Sequence, residues 1–139
     1  MYFTAFLIMR KRKPVFKIYS FGEYSRWNRS AKEIPKILEF TTEIEAEIGT
    51  EFGYVLHIKQ GKGETLSFKI DHPPFKNSRG EIAPPFEGEE FIRTNDYVFY
   101  LGDCVWEPLE DKLGEWKLTT YHDEKVVAKK TFNLTGKRN

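Results

Sequence analysis

"TEIEAEIGTEFGYVLHIKQG", Thr42 to Gly61, carries the side-chain alternation that decides the fold class. Apolar and small residues occupy one parity from Ile44 to Ile58, while glutamates and other residues occupy the opposite parity. Successive side chains of an extended strand point to opposite faces, whereas a helix would mix the two sets on one side. The stretch therefore predicts β-structure with one face on a core and one face in water.

The length of this alternation predicts a change of sheet. Fifteen extended residues would span about 50 Å, which is too far for one straight strand in a domain of this size. Gly49 and Gly53 lie within the stretch, where glycine is typical of a bulge or a bend. We therefore expect the segment to pass from one sheet to another.

The neighbouring segments predict further strands. "ETLSFKIDHPP" (64–74) alternates in the same way and ends at its prolines, which cannot donate to a strand ladder. "DYVFYLG" (96–102) has apolar residues on both faces, which predicts a central strand. The proline- and charge-rich residues from Pro74 to about Asn95 indicate a long irregular connection.

The last strands form a predicted hairpin, "GEWKLTTYHDEKVVAKKTFNL" (114–134), with "HDEK" as its turn. Trp116 shares its parity with Leu118 and is expected to face the same interior as Phe132. Together with "PVFKIYSFGEY" (14–24), the segments predict an all-β antiparallel sandwich of about seven to eight strands. We expect one domain over residues 1–139, with its core at about 14–135.

Composition excludes several classes of protein. Lys plus Arg number 22 and Asp plus Glu number 21, so the net charge of +1 gives no global field for nucleic acid or an anionic membrane. We expect neither as a partner. The single cysteine, Cys104, excludes an internal disulfide and a multi-cysteine metal site.

The first residues, "MYFTAFLIMRKRKP", do not resemble an export signal, because the basic cluster follows the apolar run. The run is also shorter than the roughly 20 residues of a membrane-spanning helix. The chain as given is expected to be cytoplasmic, unless a misplaced start hides a longer leader. Residues 1–9 are expected to form a strand that covers a sandwich edge or pairs with a second copy in a homodimer. Arg10 to Lys13 and Pro14 would end that strand.

Catalytic and metal-binding motifs are not evident. His57, His72 and His122 are the three histidines, and their spacing matches no zinc-ligand pattern. We therefore predict no catalytic residue, no metal and no cofactor. The alternative is a hydrolase or metal-dependent enzyme that uses His57, His72, Asp71 or Glu51.

The acidic row of the opening stretch is interpreted as a solvated strand face. It contains Glu43, Glu45, Glu47 and Glu51. Such a row could bind a cation or a basic partner, but charged residues more often protect a strand from edge pairing.

Aromatic residues are abundant, at 16% of the chain. Most are expected in the core, since large side chains fill a thin sandwich. Trp27 in a loop, and Tyr100 and Tyr121 on outward parities, are the candidates for a platform that binds a sugar or a peptide.

Several segments resemble known bacterial proteins. Gly114 to Trp116 followed by "VVAKKTFNL" resembles the final hairpin of bacterial immunoglobulin-like modules. "IGTEFGYVLHIKQGKG" (48–63), "HPPF" (72–75), Trp106 and "GEW" resemble a family of small stand-alone bacterial proteins of unknown function, over about Val15 to Leu134. The apolar and basic residues 1–13 and the higher charge depart from that family.

The resemblance implies an immunoglobulin-like sandwich without established catalytic residues. With the absence of a nucleophile or phosphate-binding motif, it predicts a non-enzymatic binding or accessory module. We expect the ligand to be a protein or a glycan.

Overall fold

The computed structural model describes residues 13–137, and this part of the chain contains nine β-strands and one short 3-10 helix. The strands are β1 (Val15–Tyr24), β2 (Ile37–Glu39), β3 (Glu43–Ala46), β4 (Glu51–Lys59), β5 (Thr65–Asp71), β6 (Phe86–Phe91), β7 (Asp96–Cys104), β8 (Gly114–His122) and β9 (Lys125–Gly136). The 3-10 helix, Glu110–Lys112, precedes β8. Within residues 13–137, no helix is long and apolar enough to span a membrane.

The strands form two sheets that share one hydrophobic core. One sheet has the order β2-β1-β4-β7, and the other has the order β3-β9-β8-β5-β6. The pairings are antiparallel except that of β3 with β9, which is parallel. Side chains from both inner faces bury one another, which removes their apolar surface from water. The predicted all-β sandwich is confirmed.

The stretch Thr42 to Gly61 contributes a strand to each sheet. Its first part, β3, lies beside β9, and its second part, β4, lies between β1 and β7. Between them Gly49 has a φ of 94°, a conformation that glycine adopts without the steric cost other residues incur. The Gly49 amide donates to the Val105 carbonyl at 2.8 Å. The predicted change of sheet is confirmed.

The final hairpin has the predicted faces. Trp116 is 0% exposed and pairs in register with Phe132. Its ring lies 5.3 Å from that of Phe52, and its indole N–H donates to the Lys112 carbonyl at 2.8 Å. Trp116 thus joins the two sheets from the centre of the core.

The strand count is higher than predicted because two short strands lie in segments that the sequence does not mark as strands. β2 has three residues, and β6 lies inside the connection from Pro74 to Asn95 that was expected to be irregular. That expectation is wrong for Phe86–Phe91. The inward position opposite Phe68 is Gly88, where a Cβ would come within 2.5 Å of the Phe68 ring. Glycine at an inward position hides the apolar alternation of this strand.

The expected central position of the Asp96 strand is also wrong. β7 pairs with β4 and ends its sheet. Its outward residue Tyr100 is buried because the β1–β2 loop, residues 25–36, covers that face, with Trp27 packed against it. A covered edge strand and a central strand therefore show the same apolar pattern.

The same loop contributes a partner to one residue of the acidic row, which is not solvated as predicted. Glu43, Glu45 and Glu47 are exposed, as a solvated face requires. Glu51 is only 1% exposed, so its assignment to a solvated face is wrong. A side chain from the loop reaches its carboxylate and compensates its charge.

The expectations for the first residues are not tested by this structure. Residues 1–12 and 138–139 lie outside the described part of the chain. The predicted strand and homodimer through residues 1–9, and all but Lys13 of the basic cluster, belong to that segment.

Candidate binding groove between two strand edges

An ion pair between the exposed Arg29 and the buried Glu51 fixes the β1–β2 loop to the four-stranded sheet. The Arg29 guanidinium donates two hydrogen bonds to the Glu51 carboxylate, at 3.0 and 2.8 Å. The Tyr100 hydroxyl lies 2.6 Å from the same carboxylate and 3.0 Å from the Phe52 carbonyl. A buried carboxylate needs such partners because it has lost its hydration. Arg29 holds the loop on the strands.

Burial raises the pKa of three side chains in and beside this network. Burial raises the pKa of the Tyr100 hydroxyl, and the Glu51 charge raises it further, so Tyr100 keeps its proton and acts as a donor. Burial also raises the pKa of the nearby Cys104 thiol and of the Asp103 carboxyl. A raised thiol pKa disfavours the thiolate, which is the reactive form.

Two of the three predicted platform residues lie in contact. The rings of Trp27 and Tyr100 are 5.0 Å apart at 82°, and Tyr24 meets Tyr100 edge-on at the same distance. The Trp27 indole donates to the Glu33 carbonyl at 2.7 Å, and Arg29 lies 5.1 Å over the Trp27 ring. These contacts order the loop around Trp27.

The third predicted platform residue lies elsewhere. Tyr121 is on β8, where it pairs with Ser67 of β5 in the five-stranded sheet. It lines a depression with Lys69 and Glu87 that includes neither Trp27 nor Tyr100. The structure therefore groups Trp27 with Tyr100 and leaves Tyr121 apart from them.

A groove of about 310 Å³ lies beside the Trp27 loop, where β6 and β7 end their two sheets. It is lined by consecutive residues of both strands, that is, by residues of both parities, so the strand edges themselves face it. The loop forms the remaining wall. The lining residues are Trp27, Lys32, Ile34, Phe68, Glu89, Glu90, Tyr97, Val98, Phe99 and Tyr100.

Several of these residues were not predicted as site residues. The loop residues Lys32 and Ile34 and the β6 residues Glu89 and Glu90 carry no periodic signal of a shared site. The Tyr97 hydroxyl donates to Glu90 at 2.5 Å, and this bond connects the two edges. Val98 has one signal in the sequence. Its strand has apolar residues on both parities, so an apolar residue must lie on the outward face.

An acidic cleft of about 700 Å³ lies at the opposite edge of the sandwich, by the edge strands β2 and β3. Five carboxylates line it, together with threonines and Lys137: Glu23, Glu39, Glu43, Glu45 and Glu47. Burial raises the pKa of Glu23, and the charges of Glu39 and Glu47 raise it further. The cleft can attract cations, and Lys137 already lies 3.6 Å from Glu47.

The four residues of the enzymatic alternative have separate partners. His57 hydrogen-bonds to Asp96 on the four-stranded sheet, and Asp71 pairs with Lys69 at 3.5 Å. His72 lies between the carbonyls of Pro73 and Pro84, 2.8 Å from each, and stacks on Phe75. Glu51 binds Arg29. Among residues 13–137, none of the four hydrogen-bonds to another.

One group of described residues has the composition of a metal site. Ligand atoms of Glu64, His122 and Asp123 lie within 4.8 Å of one another. His122 is already 3.0 Å from Glu64, and its ring packs against Phe16. We interpret the group as a hydrogen-bonded contact at the hairpin end.

Comparison with known proteins identifies a family and a fold. A family model described as "Domain of unknown function (DUF3859)" matches residues 12–134. The solved structure of an immunoglobulin-like protein from Pseudomonas aeruginosa has a TM-score of 0.72 and 21% identity, over 90% of this chain and 98% of that chain. No curated protein matches significantly. The resemblance stated from the sequence and the immunoglobulin-like sandwich are confirmed.

Proposed function

Since the chain belongs to the DUF3859 family of domains of unknown function, we propose that it is a non-enzymatic binding module whose ligand, a protein or a glycan, occupies the groove between β6 and β7. The observation that carries this proposal is the exposed apolar surface in the groove. Val98 is 44% exposed and Ile34 is 40% exposed, and they lie beside Trp27 and two strand edges. Apolar surface in a concave site is typical of ligand binding.

Protein is favoured over glycan by the orientation of the rings. A sugar stacks on the open face of an aromatic ring, but Tyr100 is 6% exposed and meets Trp27 and Tyr24 edge-on. One face of Trp27 is occupied by Arg29. Strand edges, by contrast, offer backbone groups to another polypeptide.

The enzymatic alternative has less support. His57, His72, Asp71 and Glu51 each bond to a different partner. A general base must lie within hydrogen-bond reach of the group it activates. No such arrangement joins these four side chains.

The proposal is tested by screening the full chain on peptide and glycan arrays. Trp27→Ala and Val98→Lys should each weaken binding to the selected ligand at least about tenfold, because buried aromatic and apolar anchors dominate interfaces. Tyr19→Ala is the matched control, since Tyr19 is 72% exposed and lies outside the groove. It should change affinity less than about twofold.

Three results would contradict the proposal. They are the absence of a ligand on both arrays, equal binding by the groove variants, and steeply salt-dependent binding to random DNA or RNA as the main activity. Melting curves of each variant distinguish lost binding from lost folding, and Val98→Lys removes no core contact.

A further inference from the structure

We propose that the groove binds an extended peptide of alternating apolar and basic residues as an additional strand on β7. This inference rests on the proposed function and names its ligand class and binding mode.

The edge of β7 has hydrogen-bonding groups that a further strand could use. β7 pairs with β4 along nine residues, from Asp96 opposite Lys59 to Cys104 opposite Glu51. The described residues contain no strand on its other side. Alternate residues of an end strand direct their N–H and C=O groups away from the sheet, where a further strand can bind them.

The sequence of β7 lacks the residues that commonly protect an edge strand. Its sequence, "DYVFYLGDC", contains neither lysine nor proline, which commonly block edge pairing. Its aspartates stand at the two ends of the strand, outside the groove segment Tyr97–Tyr100. β6 is shorter, at six residues, and contains three glutamates. β7 is therefore the better template.

The groove has two walls, and the side chains of an added strand would alternate between them. On one side lie Trp27, Ile34 and Val98, which suit apolar side chains. On that wall Lys32 disfavours a basic side chain. On the other side lies the edge of β6, whose Glu89 and Glu90 carry carboxylates on its two faces that suit Lys or Arg. The two walls therefore favour a peptide in which apolar and basic residues alternate.

The experiment is selection of random ten-residue peptides, displayed on phage, against the full chain. We expect enriched peptides in which basic and apolar residues alternate. The best peptide is then synthesised in versions that carry one backbone N-methyl group at each successive position. If it adds to β7, N-methylation at alternate positions should weaken binding at least about tenfold, and at intervening positions less than about threefold.

A charge-matched pair of variants tests the acidic wall. Glu89→Lys should weaken binding of the selected basic peptide at least about tenfold. Glu87→Lys makes the same change of net charge on β6 outside the groove, and should change affinity less than about threefold. Equal effects of the two substitutions would overturn the role of the groove wall.

The remaining outcomes separate this inference from the proposed function. A selected peptide that loses affinity with Val98→Lys but shows a flat N-methyl scan overturns strand addition and leaves the binding groove in place. Enrichment of acidic peptides overturns the predicted ligand chemistry. If neither this library nor the arrays give a ligand, both proposals fail.

Discussion

At the scale of single residues, the outer face of the four-stranded sheet contains a buried carboxylate whose charge is compensated by neighbouring side chains. Glu51 is 1% exposed, and Arg29 and Tyr100 supply its hydrogen bonds. A buried carboxylate without such partners would be strongly destabilising. The neighbouring Asp103 is less well compensated, since burial raises its pKa although the Cys104 amide and Arg29 oppose that shift.

Because the pKa of Asp103 is raised, Asp103→Asn should increase the stability of the folded protein, by an amount that depends on pH. The folded carboxyl keeps its proton at pH values at which the unfolded one has lost it, so stability falls as pH rises through the folded pKa. Removing the ionisable group should raise Tm at about pH 7, and the difference from wild type should shrink toward about pH 3. Thermal unfolding across this range measures it.

The control for this prediction is Asp96→Asn. Asp96 has the opposite shift, since its hydrogen bond with His57 lowers the pKa of the carboxyl. The Asp96 carboxylate stabilises the fold at pH values above the pKa it has in the unfolded chain, and this stabilisation is lost on acidification. Asp96→Asn should therefore have a lower Tm than wild type near neutral pH. A lower Tm for Asp103→Asn near neutral pH would contradict the prediction.

Trp116→Ala should be among the most destabilising substitutions. The side chain is 0% exposed and packs against Phe52 from the opposite sheet. Its loss leaves a cavity and should lower the free energy of unfolding by about 3–5 kcal/mol, measured by urea denaturation. Tyr19→Ala, on the surface, should cost less than about 0.5 kcal/mol. A similar cost for both would contradict the central position of Trp116.

At the scale of elements, the β8–β9 hairpin has a turn that its residues do not favour. Asp123 has a φ of 49° and Glu124 a φ of 66°, the positive values typical of a type I′ turn. Asn-Gly is the preferred pair in such turns, because other L-residues pay a steric cost there. The hairpin is held in this conformation by the rest of β8 and β9, whose ladder runs from Gly114 to His122.

Glu124→Gly should therefore stabilise the protein. Relief of the left-handed conformation outweighs the greater freedom of glycine in the unfolded chain, for a net gain of about 0.5–1 kcal/mol by urea denaturation. Glu124→Ala removes the same charge and keeps the strain, so it should give no gain. Equal stability of the two variants would show that the turn is not strained.

At the scale of the whole molecule, the chain passes between the two sheets several times, and one of these crossings runs from β3 to β4. β3 and β4 are separated by four residues, and they extend different sheets on either side of the same core. Within residues 13–137 the arrangement leaves four end strands, β2 and β7 in one sheet and β3 and β6 in the other. The candidate groove lies where β6 and β7 meet, and the acidic cleft lies by β2 and β3.

Residues 1–9 are predicted to add a strand and to mediate a homodimer. The segment "MYFTAFLIM" is apolar, and such a segment needs a surface to cover. Deletion of residues 1–9 should convert a dimer to a monomer in light scattering and should lower Tm. If the full chain is already a monomer, the dimer prediction fails. An unchanged Tm would show that the segment adds no stability.

The sequence by itself determined the features that depend on neighbours in the chain. Alternation from Thr42 to Gly61 predicted strands on both sides of Gly49, and the parity of Trp116 predicted its burial, because both follow from the geometry of an extended backbone. The resemblance of several segments to a bacterial family also led to the correct fold. These inferences required no knowledge of strand order.

Only the tertiary structure decided which strands end the sheets and what covers them. Arg29 reaches Glu51 across 22 positions of sequence, and Tyr97 reaches Glu90 across an edge-to-edge gap between two sheets. A buried outward face looks the same in the sequence whether a neighbouring strand or a loop lies over it. Strand order and loop placement depend on contacts between distant residues, and local periodicity carries no information about them.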